Sequence, residues 1–236
     1  MKFPLLLFVF ILACAQVPQK RTTSGSPAPD WKKLWVQNAC HLYNFERQVK
    51  TYPGKLCIFL SDGSFISATD TSLKKFSPAR ELVWEIPGHY HHQLNLSPDN
   101  KRILALSSEI VLRKKVRERD DVLLVIDLNG KILNRMNARE YVLREGLELL
   151  NWEKPPELRV VNAEIETTHF NSFYEIADNA YASSVPYMKP GNYIINSVDL
   201  GIFILSNDLQ NVLAHHLNFD HHHLHDVQVS PDGNFL

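Results

Sequence analysis

The chain has 236 residues, of which 44% are hydrophobic and 22% are charged, values typical of a globular protein. This length allows one large all-β domain or two small domains. The formal net charge of -1 argues against a nucleic-acid partner. The eleven histidines are unusual, because they cluster around residues 89–92 and 215–225.

Residues 1–15 resemble an export signal. Lys2 precedes an uninterrupted apolar run at residues 5–12, which is too short to cross a bilayer and therefore predicts a signal peptide. Residues 11–14 resemble a bacterial lipobox, which would make Cys14 a lipid-modified N-terminus. Residues 13–15 also fit an ordinary signal peptidase site, but we favour the lipobox. We therefore expect an exported protein of the bacterial periplasm or outer membrane, in contact with the membrane only through its lipid anchor.

Residues 16–30 are polar and rich in Ser, Thr, Pro and Gly, which predicts a disordered linker. The folded domain then comprises residues 31–236. Cys40 and Cys57 could pair in an oxidising periplasm. Because Cys57 lies in an apolar strand pattern, a buried free thiol is the alternative.

From Trp31 onward, short apolar runs alternate with turn residues, a pattern typical of β-strands. Residues 55–60 and 65–68 predict a strand pair around a tight turn at residues 61–64. The same pattern recurs at residues 122–126, 193–195 and 202–205.

Two segments depart from this strand pattern. Residues 138–150 carry leucines and charges at helical spacing, which predicts one short helix. The basic run at residues 113–119 leads directly into Asp120 and Asp121, and we interpret it as a solvated loop.

An internal repeat relates residues 92–100 to residues 225–233. Each copy contains a histidine, an alternating strand and a Ser-Pro-Asp turn that ends in Asn or Gly, residues that tolerate positive φ. Repeated four-stranded units of this kind indicate an all-β fold of the β-propeller type, with a β-sandwich as the alternative.

The length of the folded region predicts about four blades and one short helix, and the sequence stops as a new strand begins at residues 233–236. We therefore expect an incomplete propeller. Its unpaired blade edges would make the isolated chain prone to aggregation.

Three histidine positions are candidates for chemistry. His92 (with His91 before it), His169 and His225 each begin a predicted inner strand of a blade. Because such strand starts converge on a propeller's central channel, these side chains could meet there. Imidazole can act as a nucleophile or as a general base, and Asn171, on the same face as His169, could donate a hydrogen bond to an anionic oxygen. The alternative is that the histidines are structural.

A metal site is a weaker hypothesis. Neutral imidazoles of the run at residues 221–225 could bind Zn, Cu or Ni. Consecutive residues of a strand or loop cannot all face one ion, so we interpret the run as a solvated His-rich loop and predict no dedicated metal site.

The order of the motifs resembles that of the bacterial arylsulfotransferase family. A Trp-containing strand at residues 83–88 is followed by His91 and His92 and by the Ser-Pro-Asp turn. The later matches, in the family's order, are the strand pair at residues 121–131, the helix at 138–150, the His-x-Asn-Ser motif at 169–172 and the His-Asp and Gly-Asn motifs at 225–226 and 233–234. The resemblance spans residues 82–236.

The resemblance implies a six-bladed propeller that transfers a sulfuryl group from an aryl sulfate to a phenol, without a nucleotide donor or another cofactor. It implies that His225 is the nucleophile and that His92 and His169 bind sulfuryl oxygens or shuttle protons. Asn171 and His91 would contribute to substrate binding. The alternative is a non-catalytic envelope lipoprotein that binds a ligand or a protein partner.

Two positions depart from the family pattern. Val198 stands where the family has an arginine, and Gln93 stands in place of an aspartate. A guanidinium would hold a sulfuryl group through two hydrogen bonds, and loss of preorganised charge often lowers catalytic rates strongly. The missing arginine favours the non-catalytic alternative.

Overall fold

The computed structural model describes residues 35–38, 40–44, 49–113, 115–144, 160–161, 164–166, 168–198, 200–217 and 226–236. The predicted signal peptide and linker, Cys14, the run at residues 221–225 and His225 itself lie outside the described residues. Strands dominate the described ranges, as the alternating apolar runs predict.

The strands form antiparallel sheets in chain order. The first sheet contains β1 (Trp35–Asn38), β2 (His41–Asn44) and β3 (Val49–Thr51). The second contains β4 (Leu56–Phe59), β5 (Phe65–Ala68), β6 (Ser72–Phe76) and β7 (Leu82–Pro87).

The third sheet contains β8 (His89–Leu96), β9 (Arg102–Arg113), β10 (Val116–Asp127) and β11 (Ile132–Asn137). Two short strands, β12 (Val160–Val161) and β13 (Glu164–Glu166), extend it, and β13 is parallel to β10. The fourth sheet contains β14 (Phe170–Glu175), β15 (Tyr193–Ser197), β16 (Gly201–Leu205) and β17 (Val212–Leu217). A 3₁₀ turn (Pro186–Met188) lies between β14 and β15, and a bridge between Val229 and Phe235 follows the fourth sheet.

The second, third and fourth sheets are blades of a β-propeller. In each, four strands pair in sequence order as an antiparallel meander. The first strand of the third sheet, β8, contacts the first strands β4 and β14 of the two neighbouring sheets. First strands that meet in this way lie nearest to a common axis, as in a propeller. The predicted propeller fold is therefore confirmed, and the sheets within the described ranges do not close into a ring.

Two apolar cores lie between the blades. Period-two alternation sends successive side chains of a strand to opposite faces, so β10 contributes to both cores. Leu123 packs with Phe173 and Tyr193 between the third and fourth sheets. Leu124 packs with Ile66 between the second and third sheets. The blades are thus held together by buried apolar faces.

Other predicted elements can be compared with the structure. The helix predicted at residues 138–150 begins as expected, since α1 (Ala138–Arg144) starts after Asn137, whose Oδ1 accepts a hydrogen bond from Glu140 N at 3.0 Å. The prediction of a solvated loop at residues 113–119 was wrong. Residues 116–119 begin β10 and Arg113 ends β9, because these residues pair across a hairpin.

Cys40 and Cys57 form a disulfide, so the pairing alternative is the one that the structure contains. This bond joins the segment between β1 and β2 to β4. Among the described residues, no helix is both long and apolar enough to cross a membrane.

Candidate functional site

The start of β8 carries a β-bulge that brings two histidines to the edge of the blade. The register between β8 and β9 shifts between Tyr90 and Leu94, and His92 has a φ of 53°. A bulge redirects the side chains of the residues that it contains. The His92 ring accordingly lies 4.8 Å from the ring of His169 at the start of the next blade, measured between ring centroids. The His91 ring lies 4.9 Å from that of His92.

His91 lies against a buried carboxylate. Its Nε2 is 3.1 Å from Oδ1 of Asp121 and 3.2 Å from the backbone oxygen of Ser107. Because a carbonyl oxygen can only accept, this hydrogen bond requires that Nε2 carries the proton. Asp121 is fully buried, and its Oδ2 accepts a hydrogen bond of 2.8 Å from the backbone N of Phe170. The carboxylate therefore connects His91 of one blade to the first residue of β14 in the next.

The backbone around His169 forms hydrogen bonds with its own blade, through Val198, and with the preceding blade, through Asp121. Its carbonyl oxygen accepts a hydrogen bond of 2.8 Å from Val198 N, and the preceding Thr168 accepts one of 3.3 Å from Asp121 N through Oγ1. Val198 is buried, so the position at which the family resemblance expects an arginine lies directly beside His169 and carries no charge. Asn171, two residues further along the chain, is also buried.

A chain of side-chain hydrogen bonds connects β8, β14 and the segment that begins at Asp226. Gln93 Oε1 accepts a hydrogen bond of 2.8 Å from Phe173 N, and its amide donates to the Tyr174 hydroxyl. That hydroxyl donates to Asp226 Oδ2 at 3.2 Å. Gln93 and Asp226 occupy equivalent positions of the internal repeat, and both contact the hydroxyl of Tyr174 on β14. Asp226, the residue after His225, is therefore hydrogen-bonded to β14, the strand that begins directly after His169.

Two further side chains, His89 and Tyr90, lie at the start of β8, just before the bulge. His89 Nδ1 lies 3.2 Å from Ser108 Oγ. Burial raises the pKa of Tyr90 to about 12, so its phenol stays protonated at neutral pH and is no base there. Within the part of the chain that the structure describes, no three His, Cys, Asp or Glu side chains are arranged to hold a metal ion.

No family model and no curated protein match this chain. It is similar to the crystal structure of BamB from Moraxella catarrhalis, with 8% identity over 75% of this chain and 35% of that chain, and a TM-score of 0.40. It is also similar to a protein of unknown function from Bacteroides caccae, with 10% identity over 78% of this chain and 57% of that chain, and a TM-score of 0.43. The chain thus covers less than two thirds of each of these proteins. Similarities of this size carry no argument about function, and the assignment to the propeller class rests on the blades described above.

The structure brings together several of the residues predicted from sequence. His91, His92 and His169 form one contiguous group at the starts of β8 and β14, and Asn171 lies buried on β14. His225 is outside the described residues, so its predicted place in this group is untested, as are the catalytic and binding roles predicted for the whole set.

Sequence reasoning missed Asp121, and with it the hydrogen-bonded Tyr174. The signal for Asp121 was present, because two adjacent carboxylates lead without a turn residue into the apolar run at residues 122–126. An extension of that strand by two residues would have predicted that one carboxylate faces each side of the blade. No local pattern marks Tyr174.

Proposed function

We propose that this chain contains a sulfuryl-transfer site of the arylsulfotransferase type. The observation that supports the proposal is the adjacency of His92 and His169, which lie on two different blades with ring centroids 4.8 Å apart. A sulfuryl group presents three oxygens that share negative charge. Two neighbouring imidazole rings would each bind one of these oxygens through an N–H group.

In the proposed reaction, an Nε or Nδ lone pair of His225 attacks the sulfur of an aryl sulfate. The N–S bond forms as the S–O bond to the aryl group breaks, and the aryl oxygen leaves with the electron pair and takes up a proton. A phenol oxygen then attacks the sulfur and loses its proton to a base, while the N–S electrons return to the imidazole. His92, His169 and Asn171 would bind the oxygens, and His91 would contribute to substrate binding.

The surrounding contacts are suited to positioning such groups. The Ser107 carbonyl holds His91 in the tautomer with the proton on Nε2, and the carboxylate of Asp121, 3.1 Å from the same nitrogen, would stabilise the ring if it became protonated. The hydrogen bonds from Gln93 through Tyr174 to Asp226 fix the residue next to the proposed nucleophile.

We further propose export to the bacterial envelope with a lipid anchor at Cys14. The disulfide between Cys40 and Cys57 supports this compartment, since disulfides persist in oxidising environments and are rare in the cytosol.

A second candidate function is non-catalytic binding of a ligand or protein partner by an envelope propeller. The buried Val198 beside His169 favours it, because a valine supplies none of the positive charge that would stabilise a sulfuryl group during transfer.

The two candidates are separated by release of nitrophenol from 4-nitrophenyl sulfate with phenol as the acceptor. We expect turnover by the unmodified protein and none by His225→Ala. We expect His92→Ala and His169→Ala each to lower kcat by about 100-fold, the effect of removing one preorganised donor. His216→Ala is the matched control, because His216 is an exposed histidine of β17 and its removal should leave the rate unchanged.

Absence of turnover, together with absence of a trappable sulfohistidine in the unmodified protein, would contradict the transferase proposal. Equal rates for His92→Ala, His169→Ala and the His216→Ala control would contradict the assignment of this particular site.

A further inference from the structure

The buried carboxylate of Asp121 has one oxygen without a hydrogen-bond partner. Its Oδ2 accepts the hydrogen bond from the backbone N of Phe170, while no described residue donates a hydrogen bond to Oδ1. The basic group that lies against Oδ1 is the ring of His91, whose Nε2 is 3.1 Å away. Burial of a charge is costly unless the charge is paired. A proton added to the His91 ring would therefore give this carboxylate a partner of opposite charge.

The His91 ring has one nitrogen that can accept such a proton. Nε2 already holds a proton, because it hydrogen-bonds to the carbonyl oxygen of Ser107 and a carbonyl can only accept. Nδ1 of the neutral ring is consequently an acceptor. It is buried, and it has no hydrogen-bond partner in the part of the chain that the structure describes. Buried polar atoms are nearly always hydrogen-bonded, so a bound hydroxyl group, or a water in contact with one, would complete this site.

The position of the His91 ring places it next to the other histidines of the candidate site. Its side chain is 13% exposed, and the ring of His92 lies edge-on to it with a centroid distance of 4.9 Å. His92 in turn contacts His169 of the next blade. The ring of His89, 6.4 Å from that of His91, has its Nδ1 beside Ser108 Oγ. His91 thus lies between a buried carboxylate and the two rings proposed to bind the sulfuryl group.

We infer that His91 is the base that accepts the proton of the attacking hydroxyl group, and that Asp121 acts through His91 by balancing its charge. Nδ1 takes the proton directly or through one water. The electrons of the O–H bond stay on the oxygen, so an oxyanion forms beside the new imidazolium, and the imidazolium returns the proton to solvent after the product leaves. A buried carboxylate that stabilises an imidazolium is a known arrangement in catalytic sites.

This inference rests on the proposed function in one respect, since the attacking hydroxyl belongs to the phenol of the second step. It assigns the base that this step requires. It also separates two roles, because His92 and His169 would bind oxygens of the sulfuryl group while His91 acts on the acceptor. Transfer of a proton from a phenol to His91 needs no sulfate ester, so it can be measured apart from turnover.

The test is titration of the protein with 3-nitrophenol alone at about pH 6.5, the ordinary pKa of histidine. Free 3-nitrophenol is protonated at this pH and its phenolate absorbs visible light, so absorbance measures ionisation of the bound phenol while calorimetry measures its affinity. We expect a phenolate band with the unmodified protein and none with His91→Ala. We expect Asp121→Asn to lower the ratio of bound phenolate to bound phenol by about tenfold, the effect of removing one adjacent opposite charge.

Two controls change residues of the same kind nearby. His89→Ala removes an exposed histidine of the same strand, and Glu109→Gln neutralises an exposed carboxylate of β9 that binds Arg135. Both should keep the phenolate band. Melting temperatures equal to that of the unmodified protein show that the variants fold. If His91→Ala does not fold, His91→Gln replaces it, since its amide can still donate to a carbonyl but is not a base.

A phenolate band of equal intensity in His91→Ala and in the His89→Ala control would overturn the inference. Bound 3-nitrophenol that stays protonated in the unmodified protein, or no binding of 3-nitrophenol, would overturn it as well. A band that depends on His91 in a protein that does not turn over 4-nitrophenyl sulfate would support this inference and contradict only the transferase proposal. Turnover without the band would support the transferase proposal and contradict only the assignment of the base.

Discussion

Two adjacent aspartates show how much a single residue position decides in this molecule. Asp120 and Asp121 are both fully buried, yet strand geometry sends them to opposite faces of the blade. Asp120 binds Arg113, and Asp121 binds the backbone of Phe170 and contacts His91. Burial of a charge is costly unless it is paired, and each carboxylate has its own set of partners. One therefore binds within the hairpin of β9 and β10, while the other lies against a histidine.

His92 adopts a backbone conformation that its side chain disfavours. Its φ of 53° lies in the left-handed region, which costs a residue with a Cβ about 1 kcal/mol or more relative to glycine. Strain of this kind concentrates at functional sites.

We expect His92→Gly to be as stable as the unmodified protein or to gain up to about 1 kcal/mol, while it loses the activity attributed to the imidazole. Thermal denaturation and the nitrophenol assay on the same sample measure both effects. A large loss of stability in His92→Gly would show instead that the imidazole serves the fold, through its contact with His169.

At the scale of single elements, one turn recurs throughout the described residues. In each copy the amide of the fourth residue donates to the carbonyl of the first, and the fourth residue has a positive φ. The fourth residues are Gly63, Arg80, Asn100, Gly130, Leu209 and Gly233. Gly and Asn adopt this conformation readily, which is why the turns at Gly63, Asn100, Gly130 and Gly233 were recognisable from sequence. Arg80 and Leu209 give no such signal.

Four of these turns contain an aspartate whose pKa is lowered by a neighbouring serine. The hydroxyl of Ser64, just after the turn, lowers the pKa of Asp62. In the other three turns the serine is the first residue, and its hydroxyl lowers the pKa of the carboxyl two residues later, that of Asp99, Asp208 or Asp232. A carboxyl whose pKa is lower in the folded state stabilises the fold above its unfolded pKa, and that contribution disappears as the pH falls.

We therefore expect the free energy of unfolding to decrease as the pH is lowered below about 4, the ordinary pKa of aspartate. Urea denaturation at pH 5 and pH 3 measures the decrease. Combined Asp99→Asn and Asp232→Asn substitutions should make it smaller. An equal decrease in this variant would contradict the assignment to the turns.

The pKa of Glu175 is shifted in the opposite direction, so its contribution to the free energy of unfolding changes in a different pH range from that of the turn aspartates. Burial raises its pKa, although Arg102 beside it opposes the shift. A raised carboxyl pKa means that stability falls as the pH rises above about 4.5, so Glu175→Gln should flatten only that upper part of the profile.

At the scale of the whole molecule, each blade holds a turn of the next one. Lys75 and Trp84 of the second sheet both donate to the carbonyl of Leu128, each at 3.1 Å. Asn134 of the third sheet donates to Asn207 O at 3.2 Å, and Ala180 N of the fourth donates to Pro231 O at 2.9 Å. These contacts fix neighbouring segments at their turns, while the apolar cores fix the faces of the blades.

The disulfide between Cys40 and Cys57 connects the first sheet to the second. It closes a loop with a sequence separation of 17 residues, for which the loss of chain entropy in the unfolded state is worth about 3 kcal/mol.

We expect the double variant Cys40→Ala, Cys57→Ala to melt roughly 10 °C below the unmodified protein, the shift that such a loss produces in a chain of this size. Dithiothreitol should lower the melting temperature of the unmodified protein by a similar amount and leave the double variant unchanged. An unmodified protein whose melting temperature ignores the reductant would contradict this role.

The sequence by itself determined the fold class and the start of the helix. Alternation at residues 122–126, the Ser-Pro-Asp turns and the helical spacing after Ala138 are local patterns, and local geometry is sufficient to interpret them. The internal repeat added the expectation that blades recur, and it placed His92 and His225 at equivalent positions.

Only the tertiary structure decided which distant residues meet. The adjacency of His92 and His169, the burial of Asp121 against Phe170 and the pairing of Cys40 with Cys57 all depend on contacts between separate blades or sheets. The basic run at residues 113–119 shows the same limit, because its charges favour a solvated loop locally and become part of a hairpin only when Arg113 pairs with Asp120. Side-chain pairing across sheets leaves no periodic trace in sequence, and so the fold class was predictable while the surroundings of the histidine group were not.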